Sequence, residues 1–140
     1  MIGTDAKLFF LKMKQINFTV LILLLGCVGC ERTRYASQFS EEAFERIKTG
    51  DTFSNVVNEI GKPIATYAYP SPQSGIKALP GGRIYEEVNW AKVPSVMTNL
   101  DRLLVLHYSS QVDARTDYKT CTVRIYNGRV IDKHWHLIKE

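Results

Sequence analysis

Apolar side chains recur along this chain at two different periods, a helical one first and a strand one afterwards. Between residues 39 and 61 they fall every three or four positions, at Phe44 and Ile47 and then at Phe53, Val56, Val57 and Ile60, the stripe of an amphipathic helix. Ser40 is a good N-cap, Glu41, Glu42 and Glu45 place negative charge where the helix dipole favours it, and Phe39 and Phe44 have the spacing of a hydrophobic staple. Lys48 lies near the end of this first helix, with Gly50 available for a left-handed terminal position. Thr52 caps a second helix, which Gly61 and Pro63 stop. Helices this short are marginal by themselves, so each stripe needs a surface to cover.

That surface is expected downstream, where residues 64–69, 84–90, 103–108, 120–126 and 130–138 are rich in β-branched and aromatic side chains. Pro70, Pro72, Gly75, Pro80, Gly81 and Gly82 make a long loop after the first run, Asp101 and residues 113–117 mark further turns, and Asn127-Gly128 is a strong two-residue hairpin signal. Helices first and hairpin-linked strands afterwards predict an α+β fold: two short N-terminal helices packed on one face of an antiparallel β-sheet. Two registers compete for the last hairpin. A plain turn sets Ile125 against Val130 and Val123 against Asp132; one bulged residue sets Ile125 against Ile131, Arg124 against Asp132 and Cys121 against Trp135. The second separates apolar from charged positions better and is preferred.

The first 26 residues follow another pattern. Lys7, Lys12 and Lys14 precede an apolar block from Ile16 to Leu25 of about ten residues, too short to span a bilayer. The block ends Leu24-Leu25-Gly26-Cys27, which resembles the lipobox of bacterial lipoproteins. The resemblance implies cleavage before Cys27, a diacylglycerol on its thiol and an acylated amine, with palmitate a typical chain. Cys30 is the alternative site, although Cys27 at its third position back fits less well. Met13 opens a more typical leader than Met1. The expected organisation is a signal peptide over 1–26, a lipidated flexible tether over 27–38 and one domain over 39–140. Two or more acyl chains anchor stably where one holds marginally.

Composition narrows the function little. Of the net +4, three lysines and one aspartate lie before Cys27 and supply +2, so the remaining chain is nearly balanced and nothing points to nucleic acid. No repeat, low-complexity tract or run of like charge follows Cys27. Cys121 sits in a strand-like run and reads either as a small core residue or as a disulfide partner of Cys30.

The segment Phe44-Glu45-Arg46-Ile47-Lys48-Thr49-Gly50-Asp51-Thr52, with Val56, Val57 and Ile60-Gly61-Lys62-Pro63, resembles the signature of the SmpA/OmlA (BamE-like) lipoprotein family. Trp90 and the Tyr126-Asn127-Gly128-Arg129-Val130 hairpin are similar to that family as well. The fold-motif positions are Gly50, Thr52, Val56, Gly61 and Pro63. The likeness implies a helix-helix-sheet layer also found in β-lactamase inhibitor proteins, and a place in the machinery that assembles outer-membrane β-barrels. The chain departs from the family in its Pro/Gly loop after Tyr69 and in residues 93–101, and fold-forming positions alone do not carry over a partner-binding site.

Chemistry-bearing residues are sparse. His134 and His136 share a strand face and His107 lies in another predicted strand, so they are weak candidates for a metal site that no carboxylate or thiol completes. Ser109-Ser110 has no nucleophile elbow around it, and no His-Glu-x-x-His or phosphate loop is present, so neither catalysis nor a cofactor is expected. Trp90, Trp135 and the seven tyrosines could supply a contact patch, with most of them expected in the core. The reading is a non-catalytic periplasmic lipoprotein that acts as a protein-interaction module for an envelope protein, with the β-barrel assembly machinery as the expected setting. Val28 after Cys27 resembles an outer-membrane address, so the lipid anchor is expected at the periplasmic face of the outer membrane. The alternative is an inhibitor or small-ligand-binding lipoprotein of the same fold. Palmitate labelling of cells is expected to mark the wild type and to lose the label in Cys27→Ser, with the protein leaving the membrane fraction; label retained in Cys27→Ser and lost in Cys30→Ser would move the site.

Overall fold

The computed structural model describes residues 32–75, 77–113 and 117–139. They form β1 (Thr33–Tyr35), α1 (Glu41–Arg46), α2 (Phe53–Ile60), β2 (Ala65–Pro70), β3 (Glu86–Glu87), a 3-10 turn (Trp90–Lys92) that runs into α3 (Val93–Met97), then β4 (Arg102–His107), β5 (Ser109–Gln111), β6 (Tyr118–Tyr126) and β7 (Arg129–Ile138). Five strands make one antiparallel sheet in the order β3-β2-β4-β6-β7, and β1 pairs with β5 in a small second ladder. The class is α+β.

Both expected helices form, for the local reasons their sequences offer. The Ser40 hydroxyl accepts from Ala43 N–H at 3.1 Å and the Thr52 hydroxyl from Asn55 N–H at 3.2 Å. The Phe39 and Phe44 rings meet at 5.6 Å, as a staple should. Phe44, Ile47, Val56 and Ile60 are buried and share one core with Ala68, Leu104, Leu106, Tyr108, Cys121, Val123, Ile125 and Val130. Along each long strand these core positions alternate with less buried ones, so the helices cover one face of the sheet.

The link between the helices is itself bonded to the sheet. Gly50 N–H donates to the Val130 carbonyl at 2.8 Å, Val130 N–H donates to the Asp51 carbonyl at 2.9 Å, and Phe53 N–H donates to the Gly128 carbonyl at 2.9 Å. The Arg129 guanidinium donates to the Gly50 carbonyl at 2.9 Å. Residues 50–52 thus add a short rung to the outer edge of β7. Gly50, at φ +93°, turns the chain into that rung. Lys133 reaches back from β7 and donates to the Phe44 and Glu45 carbonyls, 2.8 Å each, at the C-terminal end of α1, where the Phe44 carbonyl also takes the Ile47 N–H at 3.2 Å.

Gly61 has a second constraint. Its φ is +75°, and a Cβ there would lie 2.5 Å from the Gln38 side-chain oxygen and 2.6 Å from Gln38 Cβ. The carbonyl of the same glycine accepts the hydroxyl of fully buried Tyr108 at 3.1 Å. Close approach of residue 38 to the end of α2 therefore fixes glycine at position 61. Pro63 is buried and Val56 has no exposed surface.

The structure adds to or differs from the expected elements in four places. The tether proposed over 27–38 contains structure: Thr33–Tyr35 pairs with Ser109–Gln111, and buried Ala36 donates its N–H to the Tyr108 carbonyl at 2.8 Å. The strand expected over 84–90 shrinks to Glu86–Glu87, because Asn89 accepts from Ala91 N–H at 3.0 Å and turns the chain into the 3-10 turn at Trp90. Residues 93–97 are helical, with Pro94 in the first turn, where a missing N–H is harmless. The last hairpin combines the competing registers. Asn127 and Gly128, both at positive φ, make a two-residue turn that pairs Ile125 with Val130, and a shift beyond Ile125 then sets Arg124 against Asp132 and Cys121 against Trp135. The extra residue is Ile131, so it does not face Ile125 as the preferred register had it.

Gly61→Ala is expected to destabilise the fold by roughly 1–3 kcal/mol, through positive φ and the clash with residue 38 together. Adding Gln38→Gly should recover part of that loss; urea midpoints of the single and double variants measure it, and strictly additive losses would exclude the contact as the cause.

Candidate interaction face

The face of the sheet turned away from the helices is built from odd-numbered positions of β2 and β4, even-numbered positions of β6 and, past the bulge, even-numbered positions of β7. One row across the strands runs Tyr67, Val105, Arg124, Asp132, and the next runs Ala65, His107, Thr122, His134. In the first row Arg124 and Asp132 form a two-pronged ion pair, with Nε to Oδ1 at 2.7 Å and a second contact from Nη2 to Oδ2. The pair stitches β7 to β6 just past the bulge.

At the β2 end of this face three tyrosines meet. The Tyr85 ring lies 5.7 Å from both Tyr67 and Tyr69, edge-on to the former, and Tyr67 meets the His107 ring edge-on at 5.1 Å. Tyr85 is 49% exposed and its neighbour Ile84 70%, so this corner presents aromatic and aliphatic surface to solvent. Partial burial, with Tyr85 and Tyr67 adding to it, raises the Tyr69 hydroxyl above its ordinary pKa. Exposed Glu87 pairs with Tyr67, so a carboxylate borders the aromatic corner. Sequence periodicity put Tyr67 and Tyr69 on one strand face but could not bring Tyr85 to them, because the loop that returns it carries no periodic signal.

The three histidines share the open face without converging. Thr122 stands between His107 and His134 in the same row, which separates them by two strand spacings, about 10 Å. The His134 and His136 rings stack at 5.8 Å, and His134 Nε2 lies 3.3 Å from Asp132 Oδ1. Among the described residues no group of three or more His, Cys, Asp or Glu side chains could hold a metal ion. Ser109 is committed elsewhere: its oxygen accepts from Cys121 N–H at 2.7 Å inside the core. Cys121 is a free thiol with no exposed surface, and burial pushes its pKa up to about 11. Cys27 and Cys30 lie outside the described residues.

Two clefts flank the sheet. One, of about 240 Å³, is lined by Lys62, Thr66, Glu87, Asn89 and Trp90 among others, with the Lys62 ammonium 5.7 Å above the Trp90 ring and the Phe53 ring 5.7 Å away. The other, about 300 Å³, lies under the Pro/Gly loop between Leu79 and Arg102. Sites that enclose small molecules are usually roughly 300–1,000 Å³, so both are at or below the lower end of that range. Among the described residues no helix is long and apolar enough to cross a membrane. No family model, no curated protein and no solved structure matches this chain.

His107 titrates below its ordinary pKa because burial disfavours its charged form. Below about pH 6.5 the unfolded chain therefore binds a proton that the folded chain refuses. The stability His107 contributes is present above that pH and falls as the pH drops through it. Urea unfolding at pH 7.5 and pH 5 is expected to show a steeper loss for the wild type than for His107→Gln; equal losses would mean that other groups dominate.

Proposed function

We propose that this chain is a non-catalytic, lipid-anchored periplasmic protein that works as a protein-interaction module, with a place in outer-membrane protein assembly or envelope maintenance. The observation that carries the reading is the Tyr67, Tyr69, Tyr85 and Ile84 corner. It is an aromatic, partly exposed surface on a sheet face that no described helix covers, and aromatic side chains of this kind are enriched where proteins bind one another.

Two further lines support it. The lipobox-like sequence ending at Cys27 would hold the module at a membrane, and the motif shared with the SmpA/OmlA family falls on residues whose mechanical roles are now explicit. Gly50 and Thr52 join the helices to β7, Val56 packs in the core, and Gly61 and Pro63 end α2. A BamE-like layer is the finer fold reading consistent with those roles. The module would face its partner with the far corner of the sheet. Tyr67 and Tyr69 lie level with positions 124–126 of β6, six to eight residues from the strand's start at Tyr118 and thus roughly 20–27 Å along it.

Photo-crosslinking from p-benzoylphenylalanine at position 85 of the full chain, in cells, is expected to trap a defined envelope protein, with Tyr67→Ala weakening the adduct several-fold. A β-barrel assembly component in the adduct would support the specific reading and another envelope protein the general one. No adduct from positions 84 or 85 would remove this face as the binding surface.

A further inference from the structure

The structure has a second exposed apolar region, at the opposite end of the sheet. The starts of β1 and β6 and the end of β7 meet there: Arg32 N–H donates to the Asp117 carbonyl at 3.1 Å, Lys119 N–H donates to the Thr33 hydroxyl at 2.9 Å, and Tyr118 pairs with Ile138. Trp135 and Leu137 are each 42% exposed, Ile138 37% and Val112 57%, although strand residues of these types are ordinarily buried. Arg32, Arg34 and Lys139 are exposed around them, and the Lys119 ammonium lies 5.0 Å above the Trp135 ring. The carboxylates at this end are Asp113 and Asp117, which have interactions of their own, and Glu41, which takes the Lys119 ammonium at 2.9 Å.

We infer that this end of the domain rests in the interfacial layer of a bilayer, with Trp135, Leu137 and Ile138 at the level of the lipid headgroups. The inference rests on the lipid-anchor reading, and the length of the chain makes the argument. Cys27 is five residues from Arg32, and an extended chain covers at most about 3.6 Å per residue, so an acylated Cys27 holds Arg32 within roughly 18 Å of the membrane anchor. Acylation at Cys30 instead would shorten the reach to about 7 Å. Either way the end of the sheet at Arg32 is the part of the domain tied to the anchor by the shortest length of chain.

The residues found there suit that position. Tryptophan with flanking basic side chains is the composition of a membrane interface, where the ring sits among headgroups and the long cationic side chains reach the phosphates. The backbone sets the depth. β7 is the last strand of the sheet, and among the described residues its outer edge is bonded only as far as Ile131, through Gly50, Asp51 and the Thr49 hydroxyl. From Lys133 onward the outer edge has no backbone partner among the described residues, and backbone groups in that state are tolerated among hydrated headgroups and not in the hydrocarbon. Contact at headgroup level also covers an apolar strand edge that would otherwise invite pairing with other chains.

The chain has two tryptophans, which makes the test direct. The full chain carrying Trp90→Phe, isolated from membranes, is reconstituted into phosphatidylcholine vesicles with or without dibrominated acyl chains. Bromine is expected to quench Trp135 by roughly half, since its ring would sit at headgroup level beside the acyl chains. The companion Trp135→Phe, which reports Trp90, should lose under about a tenth. Leu137→Asp with Ile138→Asp should reduce the quenching of Trp135. Unquenched Trp135 in a chain whose intact mass shows acyl groups would overturn the membrane contact while leaving the anchor standing, and would turn this edge over to a protein partner. A mass showing bare thiols at Cys27 and Cys30 would remove the anchor, and this inference with it.

Discussion

The rest of the structure depends on three residues between two helices that bond to the edge of a strand. Short helices cannot hold themselves, and these two have six and eight residues. Their position is set where the Gly50 N–H and the Asp51 carbonyl pair with Val130, while Lys133 holds the carbonyls at the end of α1. With that rung in place Phe44, Ile47, Val56 and Ile60 come down on Leu104, Leu106, Val123 and Ile125. The other end of the same layer is fastened by Tyr108, whose hydroxyl bonds to Gly61 and whose carbonyl takes the Ala36 N–H.

This economy leaves the sheet with unlike surfaces. The helix face is apolar at its centre, and burial there raises the pKa of Cys121 because it disfavours the thiolate. The open face is mixed, with tyrosines at one corner, the Arg124–Asp132 pair in the middle and histidines toward β7.

Much of the fold was legible because its causes are local. Caps at Ser40 and Thr52, the staple of Phe39 on Phe44, the stops at Gly61 and Pro63 and the Asn127-Gly128 turn each act within a few residues, and each does its expected work. The strand β1, the shortening of β3 and the helix at residues 93–97 were not legible. Three residues of Thr33-Arg34-Tyr35 carry no period, and they become a strand only because β5 is there to pair with them. Asn89 ends β3 through one side-chain bond that alternation of apolar residues does not register.

For the surfaces the division is the same. Residue order alone determined which side chains share a strand face, and so put Tyr67 with Tyr69, and His134 with His136, because side chains alternate with a period of two. It also determined the alternatives for the last hairpin. Only the tertiary structure decided that the bulge falls at Ile131, that Tyr85 returns across a long loop to the other two tyrosines, and that Trp135 lies beside the entry of the chain at Arg32. Those outcomes are settled by pairing between segments far apart in sequence, where many arrangements satisfy the local rules and packing selects one.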